Sequence, residues 1–139
     1  MQITIKTNDT WNSGIPFFTI ITPVYNRSNI VKRTFSSVEN QIFRDFEYII
    51  IDDGSTDNLD VIVNEFMQNT KIPVMYIKKE NGGVHTARNI GIKNGKGTLL
   101  IMIDSDDELK EDCLQNAYNE WQKIPEDERK YYFQMKRTL

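Results

Sequence analysis

The fold of this chain is constrained most by an alternation of short apolar runs with helical stripes of apolar residues. Four runs predict β-strands because they are rich in β-branched and aromatic residues and stop at turn formers; they cover residues 17–22, 46–52, 73–77 and 98–103. Apolar residues at steps of three and four predict helices between and after them, near residues 31–42, 59–66, 84–94 and 110–123. Strands alternating with helices predict an α/β fold with a parallel sheet and right-handed crossovers.

The composition is that of an ordinary globular domain and excludes several classes of protein. The chain has 139 residues, a length sufficient to bury one hydrophobic core. Of these residues, 39% are hydrophobic and 27% are charged. No apolar run approaches the roughly 18 residues of a transmembrane helix, and the N-terminus lacks the order of a signal peptide. A net charge of −3 argues against general electrostatic binding of nucleic acid. The single cysteine, Cys113, excludes an internal disulfide framework.

Polar and acidic residues follow each of the four predicted strands. In open parallel sheets, ligands bind outside the carboxyl ends of the strands, so these loops are expected to meet at one rim. One loop carries the acidic cluster Asp104, Asp106 and Asp107, and another carries the pair Asp52 and Asp53. Because Asp, Asn, Gly and Pro are common in turns, turn formation alone would explain the composition of any single loop. Two crowded sets of carboxylates instead predict a divalent cation, Mg²⁺ or Mn²⁺, at the acidic cluster.

The same loops suggest how an anionic ligand is held. The sequence has neither Gly-x-Gly-x-x-Gly after the first predicted strand nor a P-loop motif, so a phosphate must be bound in another way. A cation at the acidic cluster would bridge to phosphate oxygens. Tyr25 offers a face on which a base can stack, Asp53 can accept a hydrogen bond from a base imino group, and Arg88 can add a positive contact.

Four motifs, in their order and spacing, resemble the nucleotide-binding half of family 2 glycosyltransferases. They are Thr22-Pro23-Val24-Tyr25-Asn26, Asp52-Asp53-Gly54-Ser55-Thr56-Asp57, Asn81-Gly82-Gly83 with Ala87-Arg88-Asn89-Ile90-Gly91, and Asp104-Ser105-Asp106-Asp107. The resemblance covers about residues 17–121. It implies a GT-A, Rossmann-like fold, with a mostly parallel sheet flanked by helices and incomplete at the C-terminus. It also implies a nucleoside diphosphate sugar as donor, usually a uridine one, and inversion at the anomeric carbon.

The resemblance also implies roles for individual residues. The nucleotide sugar would be bound by Thr22, Pro23, Tyr25, Asp53, Arg88, Asn89, Asp104, Ser105 and Asp106. Among these, Pro23, Tyr25 and Asp53 would hold the base, whereas the aspartates would contact the ribose and the metal on the diphosphate. Asp106 and Asp107 would be the metal ligands.

The resemblance divides the chain into three parts. Residues 1–16 are expected to be a leader and residues 17–124 the nucleotide-sugar-binding α/β domain. Residues 125–139 would begin an acceptor or catalytic part, in which residues 130–135 are a candidate fifth strand. The general base is expected beyond Leu139, so the chain as given is predicted to bind the donor and to transfer its sugar poorly or not at all.

The implied function is metal-assisted transfer of a sugar to a hydroxyl of a glycan or lipid-linked acceptor, in polysaccharide or glycan synthesis. The expected location is cytoplasmic or peripheral at the inner face of the membrane. One alternative is a non-catalytic nucleotide-binding or interaction module that kept the fold. Another is a phosphoacceptor signalling domain, which the lack of a strand-end Lys and Ser/Thr pair disfavours. The oligomeric state stays open.

Overall fold

A computed structural model gives the structure of residues 2–129, which form a sheet with helices on both faces. The strands are β1 (Ile3–Thr7), β2 (Phe18–Val24), β3 (Phe46–Asp53), β4 (Val74–Lys79) and β5 (Leu99–Met102). The helices are α1 (Val31–Glu39), α2 (Leu59–Asn69), α3 (Val84–Asn94) and α4 (Cys113–Lys123). The strand order is β1-β4-β3-β2-β5, with β4, β3, β2 and β5 parallel and β1 antiparallel to β4.

The predicted parallel α/β arrangement is confirmed. All four predicted strands are present, with ends that differ from the prediction by at most two residues, and α3 has the predicted bounds. Helix α1 ends at Glu39, so Ile42 lies outside the helix and is exposed. The sequence did not predict β1, because all five of its residues are exposed and it carries no buried apolar face.

The alternation of side chains along the strands builds a core on each face of the sheet. The larger core packs against α1, α2 and α4 and contains Tyr48, Ile50 and Tyr76. The smaller core packs against α3 and contains Ile49 and Ile51. Because neighbouring residues of a strand point to opposite faces, β3 supplies both cores at once. This explains why all eight residues of β3 are buried.

Strand β2 continues through Pro23, although the sequence prediction ended it before this residue. Pro23 pairs with Ile51 of β3. On the other side of β2, the partner strand β5 pairs only as far as Ile21, and one further hydrogen bond joins the amide of Ile103 to the carbonyl of Ile21 at 3.0 Å. Along a central parallel strand, successive residues direct their backbone hydrogen-bonding groups alternately to the two neighbouring strands. The backbone of Ile21 faces the β5 side, so the backbone of Pro23, two residues further on, faces that side too, beyond the last hydrogen bond of the ladder. Its missing N–H therefore costs no hydrogen bond.

The structure adds detail at the N-terminal end of the chain. Within the expected leader, β1 joins the sheet, and Trp11 packs against the smaller core with the ammonium of Lys96 at 4.8 Å from its ring centroid. The candidate strand at residues 130–135 lies outside the described residues. Among residues 2–129, no helix is both long enough and apolar enough to cross a bilayer.

Candidate functional site

A cleft of about 430 Å³ lies at the carboxyl ends of the parallel strands. This is the rim where the sequence placed the ligand, and six predicted site residues line the cleft: Pro23, Tyr25, Asp53, Asp104, Ser105 and Asp106. The wall also contains Val24, Asn81 and Gly83, which belong to the sequence motifs but were assigned no individual role, and Arg27 and Val84, which lie outside the motifs. For Arg27 and Val84 the local signal was their position next to the motifs, in the same strand-end segments.

Asp52 and Asp53 are adjacent in sequence but lie on opposite faces of the sheet. Asp53 faces α3, and its Oδ1 and Oδ2 accept hydrogen bonds from the backbone amides of Gly82 and Gly83, each at 3.0 Å. Its carboxylate also pairs with Lys79, and its backbone carbonyl accepts a hydrogen bond from the side-chain amide of Asn81 at 3.1 Å. Asp53 therefore joins the end of β3 to the loop that follows β4.

Asp52 instead organises the opposite face. Its Oδ1 accepts a hydrogen bond from the amide of Ser55 at 2.7 Å and closes the turn after β3. The hydroxyl of Tyr76 lies 3.1 Å from Oδ2 of Asp52 and 2.7 Å from Oδ1 of Asp60. Burial, together with these two carboxylates, raises the pKa of Tyr76 above its usual range. A hydrogen bond from Lys78 lowers the pKa of Asp60.

The loops after β2 and β3 are tied together by side-chain hydrogen bonds. Asn26 has a φ of 52°, and its side-chain oxygen accepts a hydrogen bond from the amide of Thr56 at 2.8 Å. The amide of Ser28 donates to Oδ2 of Asp57 at 3.0 Å. These bonds fix the segment that carries Tyr25, whose residue surface is 48% exposed beside the cleft. An exposed aromatic ring in a fixed loop is suited to stacking.

Helix α1 holds the acidic loop in place. The hydroxyl of Thr34 lies 3.0 Å from the carbonyl oxygen of Ser105 and also contacts the carbonyl of Asp107. The hydroxyl of Ser37 accepts a hydrogen bond from the amide of Leu109 at 3.1 Å. Further along, the side chain of Gln41 donates to the carbonyl of Lys110 and accepts from the amide of Leu114. The sequence alone does not single out Thr34, Ser37 or Gln41, because they look like ordinary polar positions in and just after an amphipathic helix.

The acidic cluster brings three carboxylates close together. Asp104, Asp106 and Asp107 are all exposed, and each can offer one carboxylate oxygen such that the three oxygens lie within 4.8 Å of one another. Carboxylate oxygens are ligands that Mg²⁺ and Mn²⁺ accept, so the donor set fits either ion. Nη2 of Arg88 lies 3.3 Å from Oδ1 of Asp104, and both side chains are partly exposed. Arg88 therefore places a positive charge next to the cluster.

Four predicted site residues are not part of the cleft lining: Thr22, Arg88, Asn89 and Asp107. Arg88 and Asp107 adjoin the lining residue Asp104. Thr22 is fully buried on the face that packs against α1 and α2, where its hydroxyl is 2.7 Å from the hydroxyl of Tyr48. Asn89 is exposed on α3 and is not part of the lining. The strand alternation that directs Pro23 into the cleft directs Thr22 to the opposite face. Contact of Thr22 and Asn89 with a nucleotide stays a prediction.

Comparison with known proteins identifies the family. The family model described as glycosyl transferase family 2 matches residues 19–136. The chain belongs to glycosyl transferase family 2. Among curated family 2 relatives, glycosyltransferase GlyA of Streptococcus pneumoniae is 35% identical over 100 residues, covering 72% of this chain and 14% of GlyA. Chondroitin synthase of Pasteurella multocida is 37% identical over 110 residues, covering 78% of this chain and 11% of the synthase. The chain thus spans a small part of these relatives.

Solved structures of glycosyltransferases show the same fold. The structure of S. aureus TarS 1–349 with UDP-GlcNAc matches with a TM-score of 0.66 and 28% identity, covering 74% of this chain and 30% of that one. The mannosyltransferase PcManGT of Pyrobaculum calidifontis, solved with GDP-Man and Mn²⁺, matches with a TM-score of 0.73 and 24% identity, covering 81% and 34%. The GT-A fold expected from the sequence is therefore confirmed.

Proposed function

We propose that the cleft binds the nucleoside diphosphate sugar donor of a metal-assisted, inverting glycosyltransferase, with uridine as the base. The observation that carries this proposal is the meeting of Tyr25, Asp53 and the acidic cluster around a single cleft. Family membership supports sugar transfer in glycan synthesis, and UDP-GlcNAc bound to TarS supports a uridine donor.

Each end of the cleft suits one end of such a donor. At one end, the ring of Tyr25 offers a stacking face and Asp53 offers an acceptor. Oδ1 of Asp53 already accepts from Lys79 and Gly82, whereas Oδ2 accepts only from Gly83 among the described residues. A carboxylate oxygen has about two acceptor positions, so Oδ2 has room for one further N–H. The base of a uridine nucleotide presents a single ring N–H, at N3, which matches this second acceptor position.

At the other end, the acidic cluster and Arg88 face the diphosphate. Asp106 and Asp107 would hold a divalent cation, with Mg²⁺ and Mn²⁺ as the candidates. When bound, the cation supplies positive charge that stabilises the departing diphosphate. Arg88, oriented by Asp104, would add hydrogen bonds to the phosphate oxygens. Ser105, whose carbonyl is held by Thr34, would keep the aspartates on either side of it directed toward the cleft.

The reaction also requires a proton acceptor near the attacking hydroxyl of the acceptor. In our proposal, the carboxylates that line the described cleft are all engaged with the donor or the cation. We therefore assign donor binding to the described residues and assign no general base among them. The acceptor is proposed to be a glycan or lipid-linked hydroxyl, and the division into residues 1–16, 17–124 and 125–139 remains part of this proposal.

Calorimetry with UDP-GlcNAc, with and without MnCl₂, tests the proposal. We expect binding that requires the cation and that weakens about tenfold or more in Asp106→Asn, because a metal ligand has lost its charge. Asp127→Asn, an exposed aspartate far along the chain from the cleft, is the matched control and should bind as wild type. Equal affinity in the presence of MnCl₂ and of EDTA would exclude the metal-assisted site.

A turnover assay distinguishes an active transferase from a module that only binds the nucleotide sugar. Sugar release or transfer from UDP-GlcNAc is measured by UDP production in the presence of candidate acceptors and MnCl₂. Turnover that Asp106→Asn abolishes supports the transferase. Tight, cation-dependent binding without turnover by this chain or by a longer natural form of it would favour the non-catalytic module.

A further inference from the structure

Lys79 is a fully buried lysine beneath the cleft. Its side chain is 0% exposed, and its ammonium pairs with Asp53, whose side chain is 5% exposed. Lysine is almost never fully buried unless it is paired. A buried ion pair gains little net stability, because taking both charges out of water offsets their attraction. Stability alone therefore gives a poor reason for a lysine at this position.

The hydrogen bonds around Lys79 suggest what it does. Besides Asp53, its ammonium donates to the carbonyl of Glu80 at 2.7 Å. Asp53 in turn accepts the amides of Gly82 and Gly83. One lysine thus fixes the orientation of the Asp53 carboxylate and the start of the loop that carries the two glycines. Gly82 packs closely against Lys79, because a Cβ at this position would lie 3.2 Å from Nζ of Lys79.

The position of Lys79 in the sheet makes this arrangement specific. Lys79 pairs with Asp53 in the parallel register of β3 and β4, so both side chains point to the α3 face. The neighbouring Lys78 points to the opposite face, where it pairs with Asp60 and is partly exposed. Lys79 does not line the cleft, so it cannot contact a ligand there directly. Its influence on binding must pass through Asp53.

We infer that Lys79 is a positioning residue that sets base selectivity by directing one oxygen of Asp53 into the cleft. This inference rests on the proposed function, since it assumes that a base is bound beside Asp53. With Lys79 in place, Oδ1 is occupied and Oδ2 is left to accept one N–H from the base. Without Lys79, Asp53 loses its countercharge and one of the three hydrogen bonds that hold its carboxylate, so that only the amides of Gly82 and Gly83 remain. The carboxylate is then held less firmly, and the cleft discriminates poorly between a base that donates at N3 and one that accepts there.

The test compares UDP, which has an N–H at ring position 3, with CDP, which has an acceptor there. Calorimetry with MnCl₂ gives the ratio of the CDP and UDP dissociation constants. We expect wild type to bind UDP about tenfold or more tighter than CDP, as a hydrogen bond to a charged group implies. In Lys79→Met the ratio should fall below about threefold, chiefly through weaker UDP binding. Lys78→Met, which removes an adjacent lysine on the other face, should keep the wild-type ratio.

The outcomes separate this inference from the proposed function. Wild type that binds neither nucleotide overturns the proposed function and this inference with it. Wild type that prefers UDP, with Lys79→Met weakening both nucleotides equally, leaves the function standing and overturns the positioning role, because a merely structural loss would not change the ratio. Wild type that binds UDP and CDP equally overturns the inference as well. If Lys79→Met does not fold, the ratio is measured on Lys79→Gln, which keeps a donor but loses the charge, with the same threshold.

Discussion

Adjacent residues of a strand in this protein have different roles because their side chains point to opposite faces of the sheet. Asp53 shapes the cleft through Gly82 and Gly83, whereas Asp52 closes the turn after β3 and contacts Tyr76 on the other face. The pair is therefore not one acidic patch. Substituting either aspartate should affect a different part of the molecule, and only Asp53 borders the cleft.

Gly54 is the residue that allows the loops after β3 and β4 to approach. Its φ is +81°, and a Cβ there would lie 2.6 Å from the backbone nitrogen of Asn81. Gly54→Ala combines a left-handed backbone with a clash, so we expect the free energy of unfolding to fall by about 2–4 kcal/mol in urea denaturation. Gly83 has a φ of +97°, but a Cβ at this position would meet no other atom within 4 Å.

Gly83→Ala is therefore the matched control for Gly54→Ala, since it adds backbone strain without a clash. We expect it to lose only about 1–2 kcal/mol. Equal losses in the two variants would show that backbone strain, and not the contact with Asn81, governs Gly54.

At the scale of elements, α1 supports the side of the cleft that carries the acidic cluster. Thr34 and Ser37 lie one turn apart on the same face of α1, and Gln41 follows just beyond the C-terminal end of the helix. Together they hold the chain from Ser105 to Leu114 by hydrogen bonds. A loop of exposed carboxylates would otherwise spread apart by mutual repulsion. The helix thus holds the three aspartates close together, as the proposed cation site requires.

Thr34→Val tests this support, because valine keeps the shape of threonine but cannot donate to the carbonyl of Ser105. We expect cation-dependent affinity for UDP-GlcNAc to weaken by about two- to tenfold, the worth of one hydrogen bond. Ser36→Ala, an exposed hydroxyl on the same helix, is the control and should bind normally. Unchanged affinity in Thr34→Val, measured by calorimetry with MnCl₂, would contradict a supporting role for α1.

At the scale of the whole molecule, one sheet supports two cores. Ile50 of β3 packs in the larger core, whereas Ile49 and Ile51 pack in the smaller one. Loss of either core would expose a face of the same strand. The N-terminal segment is joined to this unit as well, since β1 pairs with β4 and the side chain of Asn8 donates to the carbonyl of Ile72 at 2.9 Å.

We therefore expect the described residues to unfold in one cooperative transition. The two tryptophans report on different faces, because Trp121 belongs to the larger core and Trp11 packs on the smaller one. Trp11→Phe and Trp121→Phe each leave a single fluorescent probe. Within each variant, the urea midpoints from fluorescence and from far-UV circular dichroism should coincide. A Trp11 signal that changes at lower urea than the dichroism would show that the N-terminal segment unfolds separately.

Much of the fold was predictable from sequence because its signals are local. Apolar runs and helical stripes gave the order of β2 to β5 and α1 to α4, and turn formers at strand ends gave the rim where the cleft lies. Strand β1 was missed, since it carries only two apolar residues, Ile3 and Ile5, which are too few to stand out as a strand pattern and are both exposed. Thr22 was grouped with its neighbours by motif, although alternation along β2 places its side chain on the other side of the sheet.

The sequence by itself thus determined the family, the α/β class and the edge of the sheet that carries the candidate site. Only the tertiary structure decided which partners hold that site in shape. Lys79 is 26 residues from Asp53, and Thr34 is 71 residues from Ser105. Periodicity and turn propensity act over a few residues, so they specify where a strand or loop occurs. Pairing across such distances depends on register and packing, which exist only once the chain has folded.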